Sequence, residues 1–184
     1  MELVSGVDLH FITSKKFKTN RIKMRFSAPM STDTIAGRVL VASMLETANE
    51  IYPTSQIFRE RLATLYGANF STGLSRRGLI HYVDLNISFV SDAFLSRKNT
   101  LTGEILDFLK DSLLKPLANE GAFNQAVFEI EKTNVLNDLK AESEDHFYHA
   151  HQELNKLFYT EKEMQTPRLA TLDLVDKETS ESSF

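Results

Sequence analysis

Alternation of apolar and polar residues marks the first strand region of the chain. In residues 21–26, Ile22, Met24 and Phe26 alternate with three cations. A strand would place the apolar set on one sheet face and the charges on the other. We therefore expect strands within residues 7–28, with the basic side chains forming a solvated face.

A second alternating run predicts a β-hairpin. Residues 69–74 and 79–90 are strand-like and are joined by Ser-Arg-Arg-Gly at 75–78. In this pattern His81 falls on the apolar face. We expect it to be a packed, hydrogen-bonded core histidine rather than a ligand.

Elsewhere apolar residues recur at three- and four-residue steps, which predicts helices with one buried face. A first helix is expected from Asp33 to Tyr52, stopped by Pro53, and a second from Ser55 to Gly67. Further helices are expected at residues 101–117, in two parts of residues 123–159 broken near Glu142–Asp145, and at Leu172–Asp176.

This order of elements predicts an α+β fold. A strand pair, a helix pair, a hairpin and then three helices, followed by the short segment at 172–176, indicate a mostly antiparallel sheet that is covered by helices on one face.

Composition narrows the functional classes. The 184 residues include 21 Lys and Arg against 25 Asp and Glu, a net charge of −4 that gives no electrostatic case for nucleic acid. The absence of cysteine excludes disulfides, thiolate catalysis and cysteine-ligated zinc. No stretch approaches the ~18 apolar residues of a membrane span, and no signal peptide is evident. We expect a cytoplasmic protein that contacts neither membranes nor nucleic acid.

The first predicted helix contains a candidate site. Helical spacing places Ser43 and Thr47 on one face with Glu46 beside them. This is the layout of the inverted zinc motif H-x-x-E-H, in which two histidines bind the metal and the glutamate activates water. Here hydroxyl side chains stand at both histidine positions.

The order of elements together with this motif resembles the N-terminal domain of the insulinase/pitrilysin family of zinc peptidases, over residues 7–178. The fold implied is the metallohydrolase fold of insulinase and the mitochondrial processing peptidases. The stretches that carry the resemblance are Phe17–Asn20, Tyr66–Ala68 followed by Phe70–Thr72, Phe128–Lys132 continuing to Val135–Asp138, and Thr166–Pro167 leading to Leu174.

The resemblance implies a degenerate metal site. Ser43 and Thr47 take the positions of the zinc histidines, Glu46 that of the catalytic base, Glu131 that of a supporting acid and Asp138 that of the third ligand. Active members of the family use zinc. One carboxylate cannot replace two imidazoles for this metal, so we expect no bound cofactor and no peptide hydrolysis by the family mechanism.

The resemblance also implies a partner. The chain is similar to the non-catalytic member of a bacterial heterodimer, and it resembles the insulinase-like proteins associated with elongation factor P modification. We expect residues 1–184 to form one N-terminal domain that lacks its C-terminal part and a second domain. The expected partners are an active insulinase-family paralogue and an extended peptide or protein substrate.

A domain of the family fold with only a structural role stays open at this point, and so does an active metallohydrolase with an atypical site. The metallohydrolase would use Glu46 and Asp138 together with a histidine cluster at residues 146–151. Within that cluster His146 and His149 share a helical face with Glu153, and such a face could hold Zn²⁺ or Ni²⁺. We favour the reading of these residues as an ordinary helix surface.

Overall fold

The computed structural model describes residues 1–96 and 100–184 and confirms the α+β class. A 3₁₀ turn at Asp92–Phe94 precedes the third helix. The strands are β1 (Glu2–Val4), β2 (Val7–Asp8), β3 (Thr19–Pro29), β4 (Asn69–Arg77), β5 (Ile80–Val90), β6 (Ala118–Asn119) and β7 (Ala122–Phe123). The helices are α1 (Ile35–Leu45), α2 (Ser55–Thr64), α3 (Leu101–Leu114), α4 (Gln125–Glu144), α5 (His146–Phe158), α6 (Lys162–Gln165) and α7 (Leu172–Lys177).

The main sheet is antiparallel, with β5 between β3 and β4. Ile87 pairs with Ile22 on one side and with Phe70 on the other, so the apolar positions of all three strands share a face. Helices α2 and α3 pack against this face, as the alternation predicts.

Two apolar clusters build the core. The first packs α2 and α3 against the sheet and includes Phe58, Phe108 and Leu85, each at most 1% exposed. The second joins α1, α4 and α7 around Ile35, Leu40, Phe128 and Val175, and these four side chains are fully inaccessible. This second cluster fixes α1 against α4, the two helices that carry the candidate site.

The first helix is shorter than the sequence predicts. It ends at Leu45 rather than Tyr52, because the Asn49 side chain accepts hydrogen bonds from the amides of Ile51 at 2.9 Å and Tyr52 at 2.7 Å. Such a local side-chain turn competes with helix continuation, and Pro53 then closes the segment.

Other element boundaries agree with the predictions only in part. Within residues 7–28 only β2 and the first ten residues of β3 are strands, so residues 9–18 are wrongly predicted as strand. The expected break between α4 and α5 falls at Asp145, whose carboxylate accepts from the amides of Phe147 and Tyr148 and caps α5. Across residues 1–96 and 100–184, no helix combines the length and the apolarity needed to cross a membrane.

His81 is buried in the core, as expected. Its Nε2 lies 3.0 Å from the carbonyl oxygen of Arg168, and burial lowers the pKa of the imidazole. Nearby, Arg76 Nη1 donates to the carbonyls of Glu163, Met164 and Thr166 at 2.7–3.1 Å. The end of the hairpin thus fixes α6 and the residues that connect it to α7.

The sheet face away from the helices carries paired charges. Asp84, 7% exposed, receives a bidentate contact from Arg25 at 2.6 and 2.7 Å and an ion pair from Lys23 at 2.9 Å. Hydrogen bonding to Arg25 lowers the pKa of Asp84 to about 2. The basic residues of β3 are therefore held by cross-strand pairs as well as being solvated.

We expect Asp84→Asn to lower the free energy of unfolding near neutral pH by about 2 kcal/mol, the equivalent of the pKa depression. A carboxyl whose pKa is lowered on folding stabilises the fold above its unfolded pKa. This contribution is present above about pH 4 and is lost as the pH falls towards 2. Denaturant unfolding between pH 2 and 7 measures it. Asp107→Asn, at an exposed position of α3, is the matched control, and equal losses in both variants would contradict the assignment.

Candidate functional site

A buried carboxylate joins the end of α1 to the second turn of α4. Glu131 is 8% exposed, and its two oxygens accept hydrogen bonds from Ser43 Oγ at 2.7 Å and Thr47 Oγ1 at 2.9 Å. Ser43 lies in the last turn of α1 and Thr47 in the turn that follows it. The two hydroxyls at the motif's histidine positions therefore converge on one carboxylate.

Glu46 points to a different partner. Its Oε1 accepts from both the backbone amide and the hydroxyl of Thr72 on β4, the latter at 2.5 Å. The Thr72 hydroxyl also lies 3.2 Å from the carbonyl oxygen of Ala42. The residue at the position of the catalytic base thus serves as a bridge between α1 and the sheet.

The carboxylate that Ser43 and Thr47 contact is Glu131 rather than Asp138. Asp138 is exposed and lies seven residues further along α4, about 10.5 Å along the helix axis. Seven residues make about two turns, so both acids share a face of α4. Only the axial position of α4 against α1 decides which acid meets the hydroxyls, and in this structure that acid is Glu131.

These residues line an open cavity of about 560 Å³ between α1, α2 and α4. Its polar lining consists of Ser43, Glu46, Thr47, Thr54, Ser55, Arg59, Glu131 and Asn134. Its apolar lining consists of Ala48, Pro53, Val127 and Ile130. Arg59 is exposed at the rim.

The donor set does not fit zinc. Zinc sites in proteins use three or four nitrogen, sulfur or carboxylate ligands. The two hydroxyls here are neutral and already donate to Glu131, while Glu46 is bonded to Thr72. In the H-x-x-E-H mechanism the glutamate acts on a metal-bound water, and neither carboxylate here is arranged with ligands that would hold that metal.

The histidine cluster lies elsewhere, on the surface of α5. His146, His149 and Glu153 are all exposed, and Glu153 forms an ion pair with Lys156 at 2.7 Å. Within the part of the chain that the structure describes, no group of three or more His, Asp or Glu side chains is arranged to hold a metal ion.

The sequence does not predict three residues of the site, which are Arg59, Thr72 and Asn134. A usable signal existed for Thr72 alone. It is a polar residue at a position of β4 where the neighbours on the same face, Phe70 and Leu74, are apolar. Arg59 and Asn134 are polar residues on exposed helix positions and have no such signature.

No protein-family model matches the chain. A curated relative, "Probable inactive metalloprotease YmfF" of Bacillus subtilis, is 24% identical over 140 residues, which are 76% of this chain and 33% of that protein. A crystal structure of a conserved protein from Enterococcus faecalis V583 is 32% identical with a TM-score of 0.90, over 94% of this chain and 40% of that one.

A third match is the crystal structure of a peptidase M16 inactive domain from Pseudomonas fluorescens. It is 14% identical with a TM-score of 0.68, over 92% of this chain and 38% of that one. The chain therefore spans between 33% and 40% of the length of these three relatives. The resemblance to non-catalytic insulinase-family domains, inferred from the sequence, is confirmed by these matches in sequence and fold.

The geometry predicts that zinc affinity returns when the imidazoles are restored. We expect Ser43→His combined with Thr47→His to bind zinc, because both side chains already converge on Glu131. Adding Glu131→Ala should weaken binding by about tenfold or more, at least as much as losing an outer-sphere partner of a metal ligand. Competition with a chromophoric chelator, on protein without a histidine tag, measures the affinity.

Asp138→Ala in the same double variant is the matched control and should leave zinc affinity unchanged. If Asp138→Ala removed zinc binding and Glu131→Ala did not, the geometry proposed for the site would be refuted.

Proposed function

We propose that this domain, of the non-catalytic insulinase type, binds extended polypeptide without cleaving it and acts as a scaffold beside an active zinc-peptidase relative. The observation that carries the proposal is the Ser43–Glu131–Thr47 contact, in which two hydroxyls and one carboxylate satisfy each other where a peptidase needs metal ligands. A cytoplasmic location is part of the proposal and fits a cysteine-free chain.

The position of β4 as an edge strand of the main sheet supports the peptide-binding role. In an antiparallel pair the backbone groups of alternate residues face away from the neighbouring strand. On β4 the Thr72 amide faces outwards, since it donates to Glu46 rather than into the ladder with β5. By the same alternation Phe70 and Leu74 present outward backbone groups, to which an extended peptide can bond by strand addition.

Glu46 occupies one of the hydrogen-bonding positions on this edge of β4. Its carboxylate takes the Thr72 amide that an added strand would use, so a peptide in register with β4 has to displace the Glu46 side chain. The exchange replaces one acceptor by another. At Thr72, the contribution to peptide affinity is therefore the difference between the hydrogen bond to the peptide and the hydrogen bond to Glu46 that it replaces.

The scaffold role predicts a specific complex. We expect a one-to-one complex with an H-x-x-E-H relative from the same organism, observed by native mass spectrometry. Zinc-dependent cleavage of a quenched fluorescent peptide should require that relative and persist when this chain carries Ser43→Ala. Cleavage by this chain alone, sensitive to a chelator, would refute the non-catalytic assignment, and failure to form the complex would refute the scaffold role.

We expect Glu46→Ala to tighten binding of an unstructured, fluorescein-labelled decapeptide by about fivefold, the worth of one net hydrogen bond. The substitution frees the Thr72 amide for the peptide backbone. Fluorescence anisotropy measures the affinity. Glu50→Ala, which removes an exposed carboxylate four residues away, is the control and should have no effect. Unchanged or weaker binding by Glu46→Ala would argue against strand addition on β4.

A further inference from the structure

Among the residues that the structure describes, the Glu131 carboxylate has no cationic partner. It is 8% exposed, yet none of the ion pairs within 4 Å that the described residues form includes it. Its hydrogen-bond donors are two neutral hydroxyls. Buried charges in proteins are normally paired, because withdrawing an ion from water is costly. This carboxylate is therefore a buried negative charge that the described residues leave uncompensated.

The carboxylate retains acceptor capacity. An ionised carboxyl group has about four lone-pair sites, and the hydroxyls of Ser43 and Thr47 use one on each oxygen. Glu46 adds a second carboxylate to the cavity. Its Oε1 is bonded to Thr72, whereas its Oε2 accepts no hydrogen bond from residues 1–96 or 100–184.

The rest of the cavity suits an aliphatic chain. Ala48, Pro53, Val127 and Ile130 form its apolar wall, and the volume of about 560 Å³ exceeds that of one side chain. Long cationic side chains bury their methylene stem against apolar surface and keep the charged end at a polar group. Apolar walls with an acidic end match that chemistry.

We propose that this cavity binds the side chain of a lysine or arginine in an extended peptide, with Glu131 as its counter-ion. The assignment rests on the proposed function as a peptide-binding domain and adds a sequence preference to it. The hydrogen bond from Thr72 to Glu46 places the end of α1 against the outer edge of β4. A strand added to that edge would therefore pass beside the cavity. Arg59, exposed at the rim, is screened by solvent and forms no ion pair with Glu131.

A metal ion suits the cavity less well. Mg²⁺ needs near-octahedral oxygen ligation and is usually held by one or two carboxylates together with substrate phosphates. At this site Glu131 is already engaged with two hydroxyls and Glu46 with Thr72. An ammonium or guanidinium group donates three to five hydrogen bonds and needs only acceptors.

The test uses two blocked peptides, acetyl-Ala-Ala-Lys-Ala-Ala-amide and the same peptide with norleucine in place of lysine. Titrations of the whole chain are followed by amide chemical shifts in ¹⁵N-labelled protein. We expect the lysine peptide to bind about tenfold or more tightly than the norleucine peptide, as for a charged hydrogen bond. The preference should fall as KCl rises from 50 to 300 mM.

Variants locate the effect. Glu131→Gln should abolish the preference for lysine, whereas Glu129→Gln, an identical change at an exposed position of the same helix, should keep it. Thermal unfolding of both variants checks that they fold. Equal binding of the two peptides by the unsubstituted protein would overturn the assignment. A preference for lysine that survives in folded Glu131→Gln would also overturn it. The same holds if MgCl₂, at concentrations similar to those of the peptide, displaces the lysine peptide and this displacement requires Glu131.

Failure here is distinguishable from failure of the proposed function. If both peptides bind equally, the peptide-binding role stands and the lysine assignment falls. If neither binds, both the pocket assignment and strand addition fall, while the complex with an active relative is still decided by native mass spectrometry.

Discussion

The contact between α1 and α4 through Glu131 is the constraint on which the site depends. A carboxylate at 8% exposure would be costly without partners, and hydrogen bonds from Ser43 and Thr47 at 2.7 and 2.9 Å offset that cost. Because the two hydroxyls come from the last turn of α1 and the turn after it, the carboxylate fixes the axial position of α4 against α1. The cavity, its charge and its lining all follow from that position.

Apolar packing contributes more than this contact to holding α1 against α4. Hydrogen bonds to a charged group are worth about 1.5–3 kcal/mol each, well below the ~10–16 kcal/mol that a structural zinc contributes. The remaining hold between the helices comes from apolar packing, since Ile35, Leu40 and Phe128 are fully buried between them. A domain held in this way can lose metal ligands and keep its architecture.

Much of the fold is readable from periodicity, whereas the detail of the site is not. Alternation in β3 and β5 gives the sheet and the face that the helices cover, because burial on one side imposes a period of two. The choice between Glu131 and Asp138 is invisible to periodicity, since a step of seven residues preserves the helix face. That choice depends on the sliding position of one helix on another, a tertiary quantity that no local pattern records.

The early end of α1 has a different origin. Asn49 competes for the backbone amides of Ile51 and Tyr52, and the signal for it, an asparagine a few residues before Pro53, is present in the sequence. Apolar spacing through Ile51 favours a longer helix, and local side-chain bonding prevails over it. The motif at residues 43–47 therefore straddles a helix end, which lets Glu46 turn away from Glu131 and towards the sheet.

The paired charges on the outer face of the sheet limit how this domain can grow. Arg25 and Lys23 converge on Asp84, and Arg21 donates to Asn86 at 2.7 Å. An apolar layer stacked on that face would have to strip water from the cations and gain little in return. Pairing of a further strand at a flank of the sheet is therefore less costly than stacking an apolar layer on its outer face.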